Sequence, residues 1–221
     1  MNAALTLPAA LSWVAGYVAV MLFYTLLDVA VWRRHFPRQA GALRIVTVAS
    51  CAAIYLTLLR RAGVPLRVLE NVTPGGLAAA VGCAALLYLM TDKGIDPLLE
   101  KKFPTSEQAY QESVQRLKQS PVSSFLQVCV IAPIVEELLM RGVVLGGLTG
   151  SCGVVPALLI SSALFALLHF NMVQTLSALL CGLALGGLYL ATGSVLCCIV
   201  CHGAYNVISF LTTIRPRDQA G

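Results

Sequence analysis

The chain has 221 residues, of which 58% are hydrophobic and only 11% charged, with a formal net charge of +5. Soluble domains carry about 25% charged residues, so this composition excludes an ordinary soluble globule. The basic residues sit beside apolar runs rather than along one amphipathic face, which favours membrane orientation over nucleic acid as the partner.

Seven apolar stretches follow in order: 8–31, 43–59, 75–90, 122–149, 154–170, 173–191 and 194–213. A span needs about 20 apolar residues, with a range near 17–25. The expected fold is therefore all-α, a polytopic membrane helical bundle of about seven transmembrane spans. The first stretch has no positive region before it and is long enough to remain as a span rather than a cleaved leader. Trp13 and Trp32 bracket it as interfacial aromatics do. Asp28 lies near its basic end and is expected to pair with Arg33 or Arg34, and His35 to be interfacial. The second and third stretches are short and are expected to be partial or tilted. Asn71-Val72-Thr73 fits a glycosylation sequon, a tripeptide common by chance.

Residues 91–121 form the one sizeable polar segment, with five Lys/Arg and five Asp/Glu. A surface helix is predicted over 106–118, capped by Thr105 or Ser106. A solvated connector is its plainer role, and gating of substrate its functional alternative. The fourth stretch is interrupted by Pro133, where a kink is expected. Short turns at 150–153, near Asn171 and near Gly193 make the last spans antiparallel neighbours. Gly182, Gly186 and Gly187 suit close helix packing in lipid. Residues 1–120 are thus read as N-terminal spans and polar connector, 121–213 as the chemical core, and 214–221 as a cytoplasmic tail.

With the N-terminus placed outside, eleven Lys/Arg fall on the cytoplasmic side, among them Arg33, Arg34, Arg38, Arg44, Arg215 and Arg217. Arg60, Arg61 and Arg67 fall outside, and Arg141 lies within a span. The balance favours this topology. Most of the eight cysteines lie inside apolar runs and read as small hydrophobes; Cys152, in a turn, is the one to test for reactivity. Cys198-Ile199-Val200-Cys201-His202 fits the haem-attachment pattern, but it sits inside an apolar span, where attachment has no accessible segment.

Ionisable residues inside spans are expensive and mark functional sites. Here they are Glu136, Glu137, Arg141, His169 and His202, with Phe165, Asn171 and Asn206 beside them. Glu137 and Arg141 are four apart, as are Phe165 and His169, and His202 and Asn206, so each pair shares a helix face. Counted from the turn near Cys152, Glu137 lies about 15 residues before and His169 about 17 after, so antiparallel helices bring them to similar depth. His202, about 9 residues past its own turn, is expected a turn or two higher. Two neighbouring carboxylates resist being ionised together in a dry site, and Arg141 favours the ionised form of one. One glutamate is then an ion-pair partner, and the other is left to take a proton from water. The histidines suit an oxyanion or a metal, and Asn206 suits an oxyanion. A purely structural ion pair with satisfied histidines is the plain alternative.

In order, EELLMR, FALLH and HGAYN match E-E-x-x-x-R, F-x-x-x-H and H-x-x-x-N. This arrangement, over residues 120–213, resembles the CPBP family of intramembrane proteases, which includes the type II CAAX prenyl proteases and the Abi proteins. The resemblance implies an intramembrane (metallo)endopeptidase that acts on membrane-associated, prenylated or secreted peptides by glutamate-activated water. It implies catalytic roles for Glu136, Glu137, Arg141, His169, His202 and Asn206, with Phe165 and Asn171 on the substrate side. Glu136 is then the water-activating carboxylate. Zinc on Glu137, His169 and His202 is one implied cofactor, and a metal-free glutamate–histidine mechanism is the other possibility. The implied partners are a peptide or protein substrate and the lipid bilayer, with no nucleic acid. The implied location is the cell membrane, multi-pass, in a bacterial inner membrane. A non-catalytic scaffold or bacteriocin-immunity protein is the rival reading.

Overall fold

A computed structural model of the chain describes residues 5–64 and 66–214. The expected tail beyond 214, with Arg215 and Arg217, lies outside the described residues. The described residues form eight helices and no strand: α1 Leu7–His35, α2 Ala40–Arg61, α3 Pro74–Lys102, α4 Pro104–Lys118, α5 over 121–152, α6 Val154–Leu167, α7 Met172–Thr192 and α8 Val195–Ile214. The all-α membrane bundle read from the sequence is the fold observed.

Five helices, α1, α2, α3, α7 and α8, are long and apolar enough to cross a membrane. The expected count of seven is not reached on these grounds. α6 has 14 residues, fewer than the roughly 17 that a span needs, and α5 carries three charges in its middle. The second and third helices are not partial. α2 has 22 residues and α3 has 29. The apolar run of α3 stops at Met90, but a wide π-helical turn, Thr91–Ile95, carries the backbone on to Lys102.

Local chemistry starts the helices. Thr6 caps α1 by accepting from the Ala9 N–H, and Thr73 caps α3 by accepting from the Gly76 N–H; each is followed by a proline in the first turn, where its missing N–H costs nothing. α4 starts earlier than expected. Pro104 opens it and no side chain caps it, so Thr105 and Ser106 lie inside the first turn. Gly153 and Gly193, at φ 86° and 66°, make the turns into α6 and α8.

The bundle buries charged side chains within its apolar core and exposes large apolar ones. Glu137 and Arg141 are wholly buried, whereas Leu22, Phe23, Leu26 and Val29 of α1 and Val46, Ile54 and Leu58 of α2 are exposed. A soluble monomer rarely exposes so contiguous an apolar surface; in lipid it is the expected surface. α5 is packed against α1, α2, α6, α7 and α8. Its Leu139, Met140, Val144 and Leu145 have no exposed surface. On α2, Arg44 is buried: it donates to the Ser123 and Ser124 hydroxyls of α5 at 3.0 and 2.9 Å. At the end of α1, Asp28 pairs with Arg33 at 2.8 Å, as its place beside the arginines suggested.

Pro133 perturbs α5 by loosening it. In the π-helical turn Leu126–Ile131, the Ala132 N–H bonds to the Gln127 carbonyl. Pro133 has no N–H to offer. The Val128 carbonyl thereby loses both of its usual helical donors, and a buried carbonyl needs another.

Candidate active site

The site is built where α5 meets α6, α7 and α8. A second π-helical segment, Leu138–Leu145, follows directly after Glu137; such wide turns recur at functional sites. Glu136 and Glu137 are neighbours, so they leave the helix about 100° apart, and they enter different environments.

Glu137 points into the protein. Its Oε1 lies 2.8 Å from Nδ1 of His202. Arg141 Nη1 lies 3.0 Å from both Oε1 and Oε2, with hydrogen-bond geometry toward Oε1. The Arg141 Nη2 donates to the Gly182 carbonyl of α7 at 3.2 Å. Its guanidinium carbon stands 4.6 Å from the centre of the Phe165 ring. Phe165 also meets His169 and His202 edge to face, at 5.3 and 5.6 Å between ring centres. One aromatic ring thus packs Arg141 and both histidines. Phe165 also lines the cavity.

Glu136 points the other way. It lines a cavity of about 320 Å³ together with His169, His202 and Asn206. Its Oε1 accepts a hydrogen bond from Tyr17 of α1 at 3.2 Å. Glu137 does not line that cavity. His169, just beyond α6, has Nδ1 3.2 Å from the Phe165 carbonyl. The next residue, Phe170, adopts φ 50°, a strained conformation for a bulky residue, as the chain reverses into α7.

Two of the expected residues carry structural work. The Asn206 Nδ2 donates to the Val128 carbonyl at 2.8 Å, the group that the wide turn and Pro133 leave without a helical donor. Asn171 caps α7 by accepting from the Gln174 N–H at 3.2 Å, and its Nδ2 donates to the Ser106 carbonyl of α4 at 2.8 Å. Asn171 is not among the residues that line the cavity; its amide is spent on tying α4 to the turn that carries His169. The expected offset of His202 is absent, because α8 packs directly on α5 and lays His202 against Glu137.

Sequence reasoning missed two groups. Tyr17 is one; its only sequence signal is a hydroxyl in the middle of an apolar span. The other lies on the far wall of the cavity. Asp92 accepts from Tyr205 at 2.7 Å and from Ser209 at 2.6 Å, and Asp96 accepts from Ser177. These aspartates were assigned to a solvated connector because the apolar run ends before them. Tyr110, Val114 and Leu117 of α4 line the same cavity, so α4 covers the site rather than merely connecting spans.

The zinc set does not fit this arrangement. Glu137 is engaged by Arg141 and His202, and the guanidinium beside it opposes a second cation. Among the described residues, no group of three His, Cys, Asp or Glu is placed to hold a metal. Cys198 and Cys201 are buried inside α8, where a haem thioether has no access. Cys152 is exposed, at the last residue of α5 rather than in the expected turn.

Fold and site together define a helical membrane protein with a buried glutamate–arginine–histidine centre beside an intramembrane cavity. Residues 118–208 match the family model of the type II CAAX prenyl endopeptidase Rce1-like proteins. The match supports, at family level, a CAAX-type intramembrane protease, and the five long apolar helices support a multi-pass membrane protein. Comparisons with curated proteins and with solved structures found no match.

Proposed function

We propose that the chain is an intramembrane endopeptidase in which Glu136 activates the attacking water. The observation that carries this reading is the divergence of the two glutamates. Glu137 is buried against Arg141 and His202, while Glu136 faces the cavity that both histidines line. Glu136 takes a proton from water as the oxygen attacks the peptide carbonyl, and returns it to the departing amine. Glu137 accepts from the Nδ1–H of His202, which fixes that tautomer and leaves Nε2 for the cavity. With Nδ1–H turned to an oxygen, His169 and His202 each present Nε2 as an acceptor for the attacking water, and the second N–H of the Asn206 amide is the donor available to the developing oxyanion. No metal step is needed in this scheme.

The substrate class is a membrane-associated peptide, prenylated or secreted, that enters from the face covered by α4. With the topology drawn from the basic residues this is the cytoplasmic face, and the proposed location is the cell membrane, in a bacterial inner membrane. The test is comparative peptidomics of cells that carry the wild-type chain or Glu136→Ala. A defined peptide whose processing stops in the variant supports the enzyme. Unchanged processing at equal protein level favours the scaffold or immunity reading.

A further inference from the structure

The stretch that matches the protease family starts at residue 118, yet the hydrogen-bond partner found for Glu136 comes from α1. We propose that Tyr17 is a positioning residue for Glu136, and that α1 is therefore part of the catalytic apparatus. This rests on the reading of Glu136 as the base.

The placement of Tyr17 follows from how α1 docks. The Leu5 N–H donates to the Gly147 carbonyl of α5 at 3.1 Å, and the Ser151 hydroxyl donates to the Leu5 carbonyl at 2.6 Å. A Cβ on Gly147 would lie 2.6 Å from the Leu5 Cβ, so only glycine allows this approach. From that clamp α1 and α5 run antiparallel. Tyr17 lies twelve residues after Leu5 and Glu136 eleven residues before Gly147, and the two meet at the far end of this antiparallel pair. The two ends of one register are thus a backbone clamp and a phenol on the carboxylate.

The phenol is itself held. Tyr17 is buried at 5% exposure. Its ring packs on Tyr55 of α2 at 5.6 Å between centres, and the Tyr55 hydroxyl is tied to the Trp13 carbonyl at 2.7 Å. Tyr17 therefore donates from a fixed position to Oε1, which leaves Oε2 to receive the proton of water. A carboxylate held by one oxygen keeps its other oxygen in a single direction, and that orientation is what a general base needs.

The experiment compares purified full-length wild type, Tyr17→Phe, Tyr55→Phe and Glu136→Gln. Infrared spectroscopy reads the carboxylate stretch that Glu136→Gln removes. Tyr17→Phe should shift that band, and Tyr55→Phe should not. With a processed peptide as substrate, Tyr17→Phe should lower kcat about tenfold with KM within about twofold, as expected for loss of one hydrogen bond to a charged group. A merely structural tyrosine would change protein level or melting temperature in both phenylalanine variants alike, without moving the band. An unmoved band in a folded Tyr17→Phe protein overturns the inference, as does an unchanged kcat. Should Glu136→Gln itself keep full activity, the role of Glu136 as base fails, and the shift of the band still reports whether Tyr17 holds that carboxylate.

Discussion

The two sides of α5 at the site teach more when set against each other than either does alone. On the inner side, Glu137, Arg141 and the Gly182 carbonyl form a dry, closed cluster roofed by Phe165. On the outer side, Glu136 meets a cavity and one phenol. The residues are adjacent and chemically identical, so the difference is made by what α6, α7 and α8 bring to the inner side and leave off the outer one. The inner side holds its charge by pairing, which makes it an anchor. The outer side leaves a carboxylate oxygen uncommitted, which makes it reactive.

The sharpest way to break this contrast is Glu136→Gln. It should lower hydrolysis by about 100- to 10,000-fold, the range for loss of a general base, at normal abundance and melting temperature. If Glu137→Gln were the variant that lost activity at full stability, the two roles would be reversed. Arg141→Ala attacks the anchor instead. It leaves a buried carboxylate without its cation, at about 3–5 kcal/mol, so protein level in membranes should fall together with activity. Normal abundance by immunoblot would remove Arg141 from the anchor.

Gly182→Ala tests the packing that brings α7 to Arg141. A Cβ there would meet the Cα, Cβ and carbonyl of Ser162 at 3.0–3.2 Å, and overpacking of this kind costs about 1–3 kcal/mol. A melting temperature equal to wild type in detergent would show that α6 and α7 can part without cost. Asn206→Ala should cost about as much or slightly less, because the Val128 carbonyl loses its donor. Asn206→Ser, which is too short to span the gap, should resemble the alanine variant in melting temperature. Far from the site, Arg116→Ala removes an exposed pair with Glu112 at 3.9 Å and an exposed hydrogen bond to the Ser113 hydroxyl at 2.7 Å. It should change stability by no more than about 0.5 kcal/mol, and a larger loss would mean that α4 holds the cavity closed through that pair.

The membrane bundle and the three motif helices were legible in the sequence because both signals are local. Apolar length sets a span, and a four-residue spacing sets a shared helix face. The pairing of Glu137 with Arg141 and the Asp28–Arg33 pair were legible for the same reason. The contact of His202 with Glu137 joins residues 65 apart in the chain, so turn counting misjudged their depth. The wide turns of α5 shift the register in a way that no spacing of letters records.

What the sequence determined by itself is the environment and the inventory: helices in lipid, and which of them carry carboxylate, imidazole and guanidinium. Hydropathy and helical periodicity act within a few residues, and a reader of the chain can count them. Only the tertiary structure decided the division of labour. It aimed Glu136 and Glu137 into different surroundings, brought Tyr17 from α1 onto the first and His202 from α8 onto the second, spent Asn171 and Asn206 on backbone groups, and turned Asp92 and Asp96 from a connector into a cavity wall. These outcomes depend on which helix faces meet, and that is set by close approaches such as Gly147 on Leu5 and Gly182 on Ser162, between residues that the chain order holds far apart.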